Sequence, residues 1–237
     1  VIKNTSEQAE STVLWKAQPM IRKALATVLL LALPVLAQGH GKHHDFSDIE
    51  RWIKAFEDPA RAEWQKPDQV VELLGLKSGQ NVADIGAGTG YFTRRMAKKV
   101  LPGGIAVAVD IQADFFPYVN DKALEAKQDN IFTQLALPDN PRLGEGVYDL
   151  IFICNTLHHI EHRAEYYAWL RRGLRPNGRV VIVDFFKDME IPVGPKPSER
   201  LASGDVRREF ESAGFTVSVD AETLPYQYIL TATPRNL

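Results

Sequence analysis

Two acids, a run of alternating glycines and a histidine pair are the residues of this chain whose types and spacing suit chemistry. In Val82-Ala83-Asp84-Ile85-Gly86-Ala87-Gly88-Thr89-Gly90-Tyr91-Phe92 an apolar strand enters a glycine loop, and Thr93-Arg94-Arg95-Met96-Ala97 has helical character. Glycines at alternate positions let a backbone bend sharply and approach a ligand without side chains between them. Asp84 stands two residues before the first glycine, where a carboxylate can meet a cationic ligand group or brace the loop amides. Roughly twenty residues beyond the loop the apolar run Gly104 to Val109 ends in Asp110, a spacing suited to an acid that takes two ribose hydroxyls. Asp110 can instead cap a helix starting near Ala113, a role Asp114 fills equally well. His158 and His159 follow a strand ending at Cys154, with His162 nearby, and an imidazole there suits general-base work near neutral pH. The same dipeptide can simply bond backbone groups at the start of the next helix.

These residues need a scaffold, and the flanking pattern supplies one. Apolar runs at Ile131 to Leu135, Tyr148 to Cys154 and Arg179 to Phe186 read as buried parallel strands. Helical stretches lie between them at Phe115 to Lys127 and His162 to Leu174, the second stopped by Arg175-Pro176-Asn177-Gly178, where proline cannot extend a helix and Asn-Gly favours a turn. Ser203 to Ala213 reads as a helix ended by Gly214, and Phe215 to Val219 and Tyr226 to Thr233 as two closing strands joined through Leu224-Pro225. The alternation predicts an α/β fold.

The Asp84-to-Gly90 spacing, D-x-G-x-G-x-G, resembles motif I of class I S-adenosylmethionine (SAM) methyltransferases rather than the G-x-G-x-x-G of dinucleotide oxidoreductases. Residues 60 to 233 are similar to small-molecule methyltransferases such as those of ubiquinone and menaquinone biosynthesis, through this loop, Asp110, Tyr148-Asp149-Leu150-Ile151, Leu157-His158-His159-Ile160 and Leu174-Arg175-Pro176-Asn177-Gly178-Arg179. The resemblance implies a Rossmann-like three-layer sandwich with a seven-stranded, mostly parallel sheet and an antiparallel last strand. It also implies SAM as cofactor, S-adenosylhomocysteine as product and a small-molecule acceptor, and the aromatic residues near the expected acceptor pocket suit one that is hydrophobic or planar. Cofactor contacts then fall on Asp84, Gly86, Ala87, Gly88, Thr89 and Gly90 of the loop, on Asp110 and Ile111, and on Asn155 after the fourth strand. Relatives of this kind carry Gly-Asp-Ala after strand three, where the acid reads the adenine amino group. Here the stretch is Gln134-Leu135-Ala136-Leu137-Pro138-Asp139-Asn140, with Asp139 the nearest candidate and Asn140 its neighbour. The strand-four end reads Asn155-Thr156-Leu157-His158 where enzymes acting on exocyclic base amines carry Asn/Asp-Pro-Pro-Tyr, which argues against base-flipping chemistry. The acceptor pocket is expected from Trp64-Gln65, His158 or His159, Phe185-Phe186 and the loop Ile191 to Pro197. The competing readings are a non-catalytic exported module of the same fold and an NAD(P)-dependent oxidoreductase.

Composition agrees with one catalytic core. At 237 residues, 45% hydrophobic and with a net charge of −2, the chain can bury one sizeable core and has no electrostatic pull toward nucleic acid. Arg94, Arg95, Lys98 and Lys99 read as a solvated helix face rather than a phosphate track. The single cysteine, Cys154, precludes an intramolecular disulfide and suits a strand core. The expected organisation is a polar extension over 1–19, a signal peptide over 20–37, a His-rich linker over 38–45, capping helices over 46–75 and the SAM-binding domain over 76–237. Basic Met20-Ile21-Arg22-Lys23, apolar Ala24 to Leu33 and small-residue Val35-Leu36-Ala37 have the order of a secretory leader, with Met20 as initiator and no lasting membrane span after cleavage. Export to the periplasm or outside the cell is therefore expected, the alternative being a cytoplasmic protein with a non-functional leader. Cleavage after Ala37 would expose Gln38-Gly39-His40, a set of nitrogens able to hold copper(II) or nickel(II), near His43 and His44; no catalytic metal site is expected. Fused to a reporter active only outside the cytoplasm, residues 20 to 45 should direct export, with Gln38 at the mature terminus by mass spectrometry; a silent reporter on an intact leader would overturn the assignment.

Overall fold

The structure, a computed structural model, describes residues 48–235, so the expected extension, leader and His-rich linker lie outside the described residues. Three short helices come first: α1 (Ile49–Phe56), α2 (Arg61–Gln65) and α3 (Pro67–Leu73). Asp48 caps α1 by accepting from the Arg51 amide at 3.0 Å, and Pro67 opens α3 where its missing N–H costs nothing. The alternating region follows as β1 (Val82–Ile85), α4 (Thr93–Val100), β2 (Ala106–Asp110), α5 (Phe116–Glu125), β3 (Ile131–Leu135), β4 (Tyr148–Cys154), α6 (Arg163–Gly173), β5 (Leu174–Phe185), α7 (Ser203–Ser212), β6 (Phe215–Asp220) and β7 (Gln227–Pro234).

The seven strands form one sheet in the order β3-β2-β1-β4-β5-β7-β6. Every neighbouring pair is parallel except those involving β7, which runs antiparallel to both β5 and β6. The expected Rossmann-like fold with an antiparallel last strand is therefore observed. Strand order reverses between β1 and β4, which opens a crevice at their carboxyl ends.

Alternation along each strand sorts side chains onto two apolar faces. Val82, Leu150, Phe152 and Val181 meet Val70, Met96 and Val119 on the α3–α4–α5 side. Ile85, Ile151, Ile153 and Ile182 meet Tyr167, Leu170 and Phe210 on the α6–α7 side. The same parity sends Asp84 toward α4 and Asp184 toward α6 and α7, so the two buried acids lie on opposite faces.

Three expectations are corrected. Arg175-Pro176-Asn177-Gly178 is not a turn before a strand but an irregular opening within β5: Tyr148 pairs with Leu174 and Leu150 with Arg179, and the surplus residues bulge out with Asn177 at φ +66°. Ahead of α5 a single helical turn, Ala113–Phe115, is preceded by Gln112, not by a capping acid. The α4 cations are not merely a solvated face. Arg94 donates to both Glu57 oxygens at 2.9 and 2.8 Å and to the Thr89 carbonyl at 2.8 Å, while Arg95 reaches Asp68 and Lys99 pairs with Glu72. These contacts dock the N-terminal helices beside the glycine loop.

Candidate active site

The glycine loop is shaped by its own backbone bonds. Gly86, Gly88 and Gly90 have φ of +70°, +51° and +72°, which side-chain-bearing residues rarely adopt. The Gly86 and Ala87 amides donate to the Val109 carbonyl at 2.8 and 3.2 Å, Gly88 donates to Asp110 Oδ2 at 2.7 Å, and Gly90 donates to the Ala87 carbonyl at 2.9 Å. Four of the five amides from Gly86 to Gly90 thus have acceptors within the protein. The space beside these glycines also differs from the sequence expectation: a Cβ on Gly86 would stand 2.1 Å from Thr156 Oγ1, and one on Gly88 would meet the Phe56 ring at 3.2 Å. The loop is threaded against its own walls.

Asp110 is 8% exposed, and its second oxygen accepts from the Gln112 amide at 2.9 Å. Its carboxylate therefore steadies both the loop and the turn after β2 while lining the cleft. Asp84, 3% exposed, accepts from Thr93 Oγ1 at 2.6 Å, so it braces the start of α4 rather than the loop amides. Burial raises the Asp84 pKa to about 7, the Thr93 bond opposes the rise, and the nearby Asp110 adds to it. Burial also pushes Asp110 up, against the pull of its backbone donors.

The cleft measures about 490 Å3, within the roughly 300–1,000 Å3 typical of small-molecule sites. Asp84, Gly86, Ala87, Gly88, Thr89, Asp110, Ile111 and Asn155 all line it. Two expected contacts do not. Gly90 packs its α-carbon toward Val119 and Thr93, serving the entry to α4, and Asp139 is exposed on the tight turn between Leu137 and Asn140. The segment after β3 instead offers Ala136, Leu137 and Pro138 to the cleft, apolar groups that suit the face of a planar ring. Trp64, Phe185, Gly194 and Pro195 also line the cleft. Gln65 lies behind it, fully buried, donating to Cys154 Sγ at 3.1 Å and Gln227 Oε1 at 2.9 Å, while Phe186 packs toward Tyr228. Cys154 is the buried strand residue expected, and desolvation drives its thiol pKa far upward, which keeps it a thiol.

The histidines separate. His158 and His159 both line the cleft with ring centroids 4.2 Å apart, but His158 holds a buried carboxylate: its Nδ1 lies 2.9 and 3.1 Å from the Asp184 oxygens, with side chains 3% and 1% exposed. Asp184 Oδ1 also accepts from the Phe185 amide at 2.9 Å, which fixes the carboxylate. A carboxylate accepting from Nδ1–H selects the tautomer whose Nε2 carries the lone pair. Sequence reading missed Asp184, which it took as part of an apolar strand, although strand parity was a usable signal. It also missed Trp52, Phe56 and Arg61, cleft residues supplied by α1 and α2.

A SAM-type ligand fits these groups better than a dinucleotide does. Thr89 Oγ1 is buried in the cleft with no hydrogen-bond partner, a vacancy a ligand polar group can satisfy. The loop amides a pyrophosphate would need are largely engaged, whereas two carboxylates face the cleft. Among the described residues no cluster of metal-ligating side chains occurs, and no helix is long and apolar enough to cross a membrane.

Comparison with known proteins points the same way. Residues 83–180 match a methyltransferase domain family. A ubiquinone/menaquinone biosynthesis C-methyltransferase of Pseudomonas paraeruginosa is 34% identical over 124 residues, 49% of this chain and 46% of the relative, so the chain spans about half the length of the curated relatives it matches. A SAM-dependent methyltransferase from Aquifex aeolicus is 28% identical with a TM-score of 0.72, covering 78% of this chain and 97% of that one. A phosphoethanolamine N-methyltransferase of Haemonchus contortus, solved with SAM, shares the fold at 14% identity and a TM-score of 0.61 over 73% of this chain and 53% of its own.

The Asp84 environment makes a signed prediction. An ammonium placed in the cleft favours the carboxylate, so below about pH 7 ligand binding must expel the Asp84 proton. S-adenosylhomocysteine affinity should rise from pH 6 and level off above about pH 7, and calorimetry at pH 6 in buffers of different ionisation enthalpy should detect proton release. Asp84→Asn should lose most of that release; an unchanged release would remove Asp84 from the ligand's charged end.

Proposed function

We propose that this chain, whose residues 83–180 match a methyltransferase domain family, transfers the methyl group of SAM to a small-molecule acceptor. The observation that carries the reading is the saturated glycine loop, which leaves few amides for phosphates but sets two carboxylates beside the cleft. Asp110 suits the ribose hydroxyls, Asp84 the ammonium, Thr89 Oγ1 a further polar group, and Leu137 and Pro138 the adenine face. SAM supplies an activated methyl carbon, and the protein's task is to hold an acceptor in line with it.

A base is needed only when the acceptor still carries its proton, as a hydroxyl or carbon acid does. His158, steadied by Asp184, fills that role; Asp184 acts through the imidazole as a positioning residue. The C-methyltransferase relatives make a carbon acid a natural acceptor class. Trp52, Phe56, Trp64 and Phe185 give the cleft an aromatic wall, which supports a planar, hydrophobic acceptor such as a phenol or quinol. A dinucleotide oxidoreductase is disfavoured by the engaged loop amides, and a purely binding role leaves the buried His158–Asp184 pair without a chemical task. Export remains part of the proposal on the basic, apolar and small-residue order of residues 20 to 37.

Transfer from methyl-labelled SAM to a panel of phenols and quinols tests the reading. With a productive acceptor, His158→Ala should lower turnover by roughly a hundredfold and Asp184→Asn by about tenfold or more, with S-adenosylhomocysteine affinity within about twofold of wild type. Near-full turnover in His158→Ala would make catalysis alignment alone, and cofactor binding with no transfer to any acceptor would favour the binding-protein alternative.

A further inference from the structure

The segment between β5 and α7, residues 186–202, is irregular apart from one helical turn at Pro197–Glu199, and most of it is exposed. Its middle nevertheless forms a wall of the cleft, through Gly194 and Pro195. Gly194 has φ +83° and packs so closely on Phe185 that a Cβ there would stand 2.6 Å from the ring. Trp64 approaches the same ring, with centroids 5.8 Å apart.

What draws this segment in is Arg200. The residue is 4% exposed, and its guanidinium reaches three backbone carbonyls: Nε donates to Pro195 at 2.7 Å, and Nη1 to Phe186 at 3.2 Å and Met189 at 2.9 Å. None of these acceptors is a carboxylate. A buried guanidinium is costly unless its donors are answered, and each of these bonds is charge-assisted. Ion and segment therefore hold one another: the carbonyls make the buried charge tolerable, and the charge keeps an exposed stretch folded back.

Both ends of this clasp are anchored. The Phe186 amide donates to the Tyr226 carbonyl at 3.0 Å and its ring packs toward Tyr228, while Leu201, next to Arg200, packs on the α6–α7 side of the core. The Pro195 bond acts beside the residue that meets Phe185, so its loss would release Gly194 and Pro195 from the wall. This wall is also separate from the cofactor floor. The glycine loop is tied to β2, on one side of β1, whereas Phe185 ends β5, two strands away on the other.

We propose, on the basis of the methyl-transfer reading, that Arg200 is a positioning residue for the acceptor: it fixes Gly194 and Pro195 against Phe185, and the wall so made, with Trp64, selects flat rings over branched ones. Arginine suits the task because its rigid fork serves several carbonyls at once, where a lysine keeps the charge but has one compact donor head. Glycine suits position 194 because the backbone there is left-handed and the ring leaves no room for a side chain.

The test uses the purified full chain saturated with S-adenosylhomocysteine and two phenols of equal carbon count, flat α-naphthol and branched para-tert-butylphenol, titrated by calorimetry. Wild type should bind α-naphthol tighter by roughly fivefold or more. Arg200→Met and Gly194→Ala should both lose most of that preference with S-adenosylhomocysteine affinity unchanged, and Arg200→Lys should keep part of it. Hydrogen exchange read by mass spectrometry should show residues 187–195 opening about tenfold faster in Arg200→Met, with β1 and the glycine loop protected as in wild type. A preference undiminished in Arg200→Met, or in Gly194→Ala where Arg200→Met does not fold, overturns the proposal. So do equal wild-type affinities for the two phenols, or no binding of either. A fall in S-adenosylhomocysteine affinity matching the loss of preference would make Arg200 a general structural support and overturn it too. Wild type that fails to bind S-adenosylhomocysteine removes the methyl-transfer reading itself, a result distinct from cofactor binding without phenol selectivity.

Discussion

The bond from the Gly88 amide to Asp110 Oδ2, at 2.7 Å, is the constraint on which the site depends. It ties the loop after β1 to the end of β2, and the Gly86 and Ala87 bonds to Val109 continue that tie past the last paired residues. The loop closes only with positive φ at its glycines, and at Gly86 it presses so near Thr156 that no side chain fits. Thr156 precedes the turn Leu157–His159, so the same close packing that bends the loop also abuts the segment carrying His158. Cofactor floor and proposed base are thus positioned through one set of contacts at the point where strand order reverses.

Electrostatics follows from this packing. Asp84, Asp110 and Asp184 are all nearly sealed from solvent, and each is answered differently. Asp184 is taken by His158 and the Phe185 amide, and Asp110 by two backbone amides. Asp84 has only Thr93 as a donor residue, through its hydroxyl and its backbone, and this does not offset the desolvation. An ion answered by a single neutral residue in a low-dielectric cleft is the one most responsive to an incoming cation. The cleft is therefore most sensitive to charge near the start of the glycine loop, and the sulfonium and ammonium of SAM answer that imbalance where a pyrophosphate would worsen it.

Much of this was legible in the sequence because it depends on local pattern. Glycine spacing placed the loop, apolar runs placed all seven strands, and the acid ending the second run placed Asp110 in the cleft. What escaped depends on relations between distant segments. Asp184 pairs with His158 because β4 and β5 are neighbours, with Cys154 opposite Val183, a register the chain does not write locally. Arg61 sits on a five-residue helix, too short for periodicity to show which side faces the cleft. Asp139 was misplaced because Leu137 and Asn140 bond across it, turning it outward. Asn177 can adopt a left-handed conformation inside a bulged strand, so the Asn-Gly pair signalled a turn where β5 had already begun.

The central claim is that the cleft takes a phosphate-free nucleoside sulfur ligand. Its most direct test is parallel calorimetric titration of the purified chain with S-adenosylhomocysteine and NADH under one set of conditions. Saturable one-to-one binding of S-adenosylhomocysteine with no heat of binding from NADH is the expected result. Saturable NADH binding with none for S-adenosylhomocysteine would contradict it.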